Sequence, residues 1–156
     1  MRKLTLAAVS IAALAVAGSV WAGGHVGNPS VKARKSHMQL YAFNLGKLGA
    51  MAKGEAEYNA DAASAAANNL ATLSTLSQAG YWSPGTSNAE LGEETRALPG
   101  LWESGSKARE IGGQMGEAVA QLASVAGNGQ EGLGAAVGAV GQTCGACHKA
   151  YRAPNN

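Results

Sequence analysis

Cys144 and Cys147 are the only cysteines in the chain, and His148 directly follows the second. Their spacing is C-x-x-C-H, the pattern of covalent c-type haem attachment. Two thiols add across the two vinyl groups of one porphyrin, and the next imidazole reaches the iron from its proximal side. On a helix, positions 144 and 147 share a face and 148 lies almost directly above 144. One turn would then hold both thioethers and an iron ligand.

Other chemistries fit these residues less well. A zinc site wants four N or S ligands, whereas the chain offers two cysteines with His25, His37 and His148 and no second paired cluster. A thioredoxin-like pair sits at a strand-to-helix junction, and no strand pattern precedes Cys144. A disulfide across this spacing would be strained on a helix and would close almost no loop. No Ser/His/Asp or paired-carboxylate constellation stands out either. The expectation is a carrier or binder and not an enzyme.

The elements that must position this turn read as helices throughout. Asn28-Pro29 is an N-cap with proline at the first helical position, and the first helix runs to about Lys53 before Gly54. Its apolar stripe is Val31, Met38, Ala42, Leu45, Leu48 and Ala52, interrupted at Arg34. A second helix starts near Asn59 or Asp61, carries Ala62, Ala66, Leu70, Leu73 and Leu76, and ends at Gly80. Residues 81–99 form a long polar crossover. The third helix covers about Leu101 to Ala126, with Trp102, Ile111, Met115, Val119 and Leu122 inward. The fourth covers about Gln130 to Tyr151, its stripe running through Leu133, Val137, Val140, Cys144 and Cys147. Two tight connections and one long one give an all-α, antiparallel four-helix bundle around covalently bound haem c. Glycines within the last two helices, among them Gly112, Gly132, Gly138 and Gly141, leave two readings open. Either a close approach needs the missing Cβ, or the helices are weak until the cofactor is bound.

Residues 1–22 read as a signal peptide: Met1-Arg2-Lys3 is basic, an apolar run follows, and Val20-Trp21-Ala22 fits a small-residue cleavage site. The domain is then 23–156, in the periplasm, with no membrane attachment after cleavage. Haem c is attached outside the bacterial cytoplasm, so the leader and the attachment motif support each other. Without Arg2 and Lys3, the 12 basic side chains become 10 against 10 acidic ones. A neutral domain is not expected to bind nucleic acid.

With C-x-x-C-H near the C-terminus of a four-helix pattern, the chain resembles the class II c-type cytochromes, the cytochrome c′ family. The likeness is carried by Val31 to Met38, Lys53-Gly54-Glu-Ala-Glu-Tyr58, Leu101-Trp102 and Cys144 to Arg152. It implies one haem c on Cys144 and Cys147, with His148 as proximal ligand. Matching the first helix back from Lys53-Gly54 puts Met38 at the distal position. In the low-spin branch of the c-554 and c-556 type, a methionine there ligates the iron and the protein carries electrons. In cytochromes c′ the iron is five-coordinate and binds small gases such as NO and CO, and some keep a non-bonding methionine at this place. The resemblance favours the His/Met electron carrier, with the gas binder as alternative. His37 is the other candidate distal ligand, on a face expected to point partly to solvent. Arg34 could pair with a haem propionate or sit as a solvated arginine. Arg152 could cover the proximal side or be a terminal surface charge. The resemblance also implies periplasmic redox partner proteins and self-association through the first two helices.

Overall fold

The computed structural model describes residues 27–154. The expected signal peptide and His25 therefore lie outside the described residues. The first helix, α1 (Pro29–Ala52), begins where Asn28 accepts hydrogen bonds from the backbone N–H groups of Ser30 and Val31, at 3.0 and 3.3 Å. It ends before Gly54, whose φ of +74° is the left-handed conformation that glycine adopts without strain. Asn59 caps α2 (Ala60–Thr75) through the N–H of Ala62 at 2.8 Å. This helix stops before the expected Gly80. Ser74 and Thr75 turn their hydroxyls back onto the carbonyls of Ala71 and Thr72, and Leu76 is extended. Leu76, expected in the core, is an exposed apolar side chain.

The crossover is more ordered than a polar loop. It holds a one-turn helix, α3 (Asn88–Leu91), closed by a capping box between Ser87 and Glu90. Two 3-10 turns follow, Gly92–Glu94 and Pro99–Trp102. Leu101 and Trp102 belong to the second turn, and α4 (Ala108–Val125) begins only after it. The last helix, α5 (Leu133–Tyr151), is entered through Gly132 at φ +80°, so Gly132 makes a turn and does not lie inside a helix.

The long helices pack in a ring: α1 meets α2 and α5, and α4 meets the same two. Leu48, Leu70, Leu122, Leu133, Val119 and Val140 are fully buried between them. Ala63, Ala66 and Ala67 give α2 a smooth buried face. Burying each of the large aliphatic side chains contributes about 1.5–3 kcal/mol.

This apolar core is unevenly placed. On α5 the buried residues are Leu133, Ala136 and Val140, all in its first half. On the first half of α1, two of the three buried residues, Arg34 and His37, are polar. The cysteines and His148 lie at that thinly packed end.

Candidate functional site

A cavity of about 860 Å³ opens between α1, α4, α5 and the crossover. Cys144, Cys147 and His148 line it from α5, and Met38, Tyr41 and Leu45 line it from α1. Ile111, Gly112 and Met115 contribute from α4, and Trp82 and Trp102 from the crossover. Three residues of the expected α1 stripe, Met38, Ala42 and Leu45, border this space. Ala42 is solvent-exposed by area, yet it too lines the cavity.

The chemistry of the site follows from its surroundings. Both cysteines are free, and burial pushes both thiols up, with Cys144 adding to the effect at Cys147. Burial lowers the His148 pKa, and the nearby Arg96 charge lowers it further. A neutral imidazole keeps the lone pair that a metal needs. Tyr41 is raised to about 12 by burial, with a smaller contribution from Cys144. The Thr143 hydroxyl meets the Met115 sulfur at 3.0 Å, which fixes one wall.

The donor set suits haem c. Two thiols and a neutral imidazole from one helix face an apolar space whose volume is typical of cofactor sites. Met38 adds a thioether on the first helix, a ligand that haem iron accepts.

Three candidates fall elsewhere. Arg34 does not line the cavity. It is 4% exposed beneath the crossover, where its guanidinium donates to Thr86 Oγ1, Thr86 O, Thr95 Oγ1 and Tyr81 O. His37 is also only 4% exposed, and the expected partly solvated face is covered. Its ring packs edge-on against Tyr41 at 4.9 Å and tilts against Tyr81 at 5.5 Å, leaving Nε2 buried without a hydrogen-bond partner. It does not line the cavity. Arg152 is exposed, and its backbone bridges to Ala97 of the crossover.

Sequence reasoning missed Tyr41, Trp82 and Arg109 as cavity residues. Tyr81-Trp82 offered a signal, being a pair of large aromatics in an otherwise polar stretch of a chain poor in them. Arg109 is an exposed cation on the cavity wall at the start of α4.

An all-α bundle that brings a C-x-x-C-H turn to the wall of one large apolar cavity defines a class of covalent haem proteins. The profile of the Cytochrome C' family matches residues 29–152, so the chain belongs to the cytochrome c′ family. Members of that family carry one covalent haem c per chain. Cytochrome c′ of Cereibacter sphaeroides is 41% identical over 152 residues, 97% of this chain and 98% of that one. Cytochrome c-554 of the same species is 36% identical over 122 residues, 78% of this chain and 91% of its relative. A solved cytochrome c′ from Rhodobacter sphaeroides superposes with a TM-score of 0.77 at 41% identity, covering 81% of this chain and 96% of that one. Another cytochrome c′, whose structure is described as showing ligand-controlled dimer dissociation, gives a TM-score of 0.72 at 31% identity. It covers 80% of this chain and 95% of that one.

Proposed function

We propose that this monohaem cytochrome is a periplasmic electron carrier with His148 and Met38 as axial ligands, and that it is not an enzyme. The observation that carries the reading is that Met38 lines the same cavity as Cys144, Cys147 and His148. Haem c supplies reversible one-electron exchange at its iron when bound. The chain's own residues do the rest. Cys144 and Cys147 hold the porphyrin edge, and His148 offers a neutral imidazole. Met38 offers a thioether, which raises the reduction potential. Tyr41, Leu45 and Trp82 line the cavity, and their large side chains would keep water from the metal. Arg109 is the cavity-lining cation placed to meet a propionate charge.

A second reading has its own support. The relative at 41% identity is a cytochrome c′, and a Met38 that packs beside the iron without bonding would leave a site for NO or CO. Met38→Ala separates the two. Under His/Met ligation the variant turns high-spin and binds CO readily in the ferrous form, while the unaltered protein does not. Equal and rapid CO binding by both would favour the gas binder.

Self-association belongs to the same proposal. Leu40 and Phe43 stand out from α1 at 50% and 63% exposure, and Leu76 stands out past the end of α2 at 46%. These apolar side chains suit a contact between two copies, to be read from sedimentation at increasing concentration. Docking to redox partner proteins needs only a small and transient contact.

A further inference from the structure

The crossover is fastened at two places, and each lies one turn from a proposed axial ligand. At α1 the fastening is Arg34, one turn before Met38. Its Nη1 donates to Thr86 Oγ1 at 2.7 Å and to Tyr81 O at 3.3 Å, and its Nη2 donates to Thr86 O and Thr95 Oγ1, both at 2.6 Å. All of these oxygens are neutral and belong to the crossover. The guanidinium also lies 5.2 Å from the Trp82 ring and 5.9 Å from the Trp102 ring, two walls of the haem cavity. The two tryptophans are linked in turn, Trp102 Nε1 donating to Trp82 O at 2.8 Å.

At α5 the fastening is backbone. Leu98 N donates to Tyr151 O at 2.9 Å and Ala153 N donates to Arg96 O at 2.8 Å, on either side of the Ala97–Arg152 bridge. The Tyr151 hydroxyl accepts the Lys107 N–H at 2.7 Å. These contacts begin three residues after His148.

The apolar core does not do this work, because α5 has no buried residue beyond Val140. A buried guanidinium is costly unless its donors are satisfied, and here burial lowers the Arg34 pKa while the Glu94 charge opposes the shift. The satisfied fork therefore favours one placement of the crossover over others.

We propose that Arg34 is a positioning residue: by clamping the crossover it fixes α1 relative to the end of α5, and so holds Met38 in reach of the iron. The inference rests on the His/Met reading. It assigns Arg34 to the crossover, behind the Trp82 and Trp102 walls of the site, and not to a propionate.

The test uses haem-loaded protein carrying Arg34→Lys, or Thr86→Val with Thr95→Val, beside Thr86→Ser with Thr95→Ser. Lysine keeps the charge without the fork, valine removes two acceptors, and serine restores them. Leu122→Ala serves as a control, because it weakens the core away from the cavity. The lysine and valine variants are expected to lose much of the methionine–iron charge-transfer band. They should bind CO in the ferrous form about tenfold faster or more, the scale of one lost charged hydrogen bond. The serine pair and Leu122→Ala should keep the band and the slow rate. A low-spin parent whose lysine and valine variants are equally low-spin and equally slow would overturn the role of Arg34 and leave His/Met ligation standing.

Amide hydrogen exchange reads the clamp separately from the iron. Arg34→Lys should speed exchange at Leu98 and Ala153, and unchanged protection there overturns the clamp. A high-spin parent overturns the His/Met reading instead, together with the part of the proposal that concerns Met38.

Discussion

Met38 and His148 border one cavity although they come from the first and last helices of the bundle. Neither helix could make this site alone. The attachment turn supplies three donors from α5, and the fourth depends on where α1 lies against it. Under the proposed His/Met ligation, spin state would depend on helix placement as much as on residue type.

Covalent attachment is the first consequence. Protein made with the attachment machinery should keep its haem stain after denaturing electrophoresis. Cys144→Ala with Cys147→Ala should leave that band blank. A stain retained by the double variant would place the attachment elsewhere.

Tyr58 ties the two tight connections together. Its hydroxyl donates to Ala126 O at 2.8 Å and accepts the Gly129 N–H at 2.9 Å. Tyr58→Phe should lower stability by roughly 1–3 kcal/mol, two hydrogen bonds' worth, in a denaturant titration. The haem spectrum should not change, since Tyr58 is not a cavity residue.

Glycines of α5 give the opposite sign. A Cβ built at Gly138 or Gly141 meets nothing within 4 Å beyond its own helix's neighbouring backbone, and both positions are exposed. Close approach of another helix therefore does not account for them. Alanine at each should stabilise the protein by about 0.5–1 kcal/mol through helix propensity. A loss of stability on either substitution would show a contact that the protein alone does not make.

Tyr41 sets an alkaline limit. Its folded pKa is raised to about 12 from an ordinary 10. The folded state therefore holds its proton more tightly than the unfolded state. The resulting stability is fully present below about pH 10 and is lost as pH rises toward 12. In the haem-loaded protein the Cys144 contribution disappears, because a thioether carries no charge, and burial remains. Tyr41→Phe should flatten stability across this window. An equal decline in both proteins would assign it to another group.

The sequence exposed some features of this molecule and hid others, for physical reasons. Asn28-Pro29 and Asn59 announced their helices because capping is local. Cys144, Cys147 and His148 announced themselves because haem attachment fixes spacing within one turn. The burial of Arg34 and His37 was not legible. Periodicity marks which face of α1 is apolar, but a crossover from 50 residues further along covers a polar face as well. The start of α4 was misread because the apolar pair Leu101-Trp102 precedes the periodic run from Ile111, while Gly105 and Ser106 delay the helix to Ala108. Met38 was found through its resemblance to a ligand position and its place on the stripe. The stripe itself is shared: Met38, Ala42 and Leu45 line the cavity, while Leu48 and Ala52 pack with the core.

The most direct measurement is the optical spectrum of the purified haem-loaded protein in each oxidation state at room temperature. His148 and Met38 as axial pair predict a low-spin spectrum in both states, with the weak methionine-sulfur charge-transfer band in the ferric form. That band should be absent from Met38→Ala. A high-spin ferric spectrum without the band, together with a ferrous form that takes up CO at once, would contradict the account.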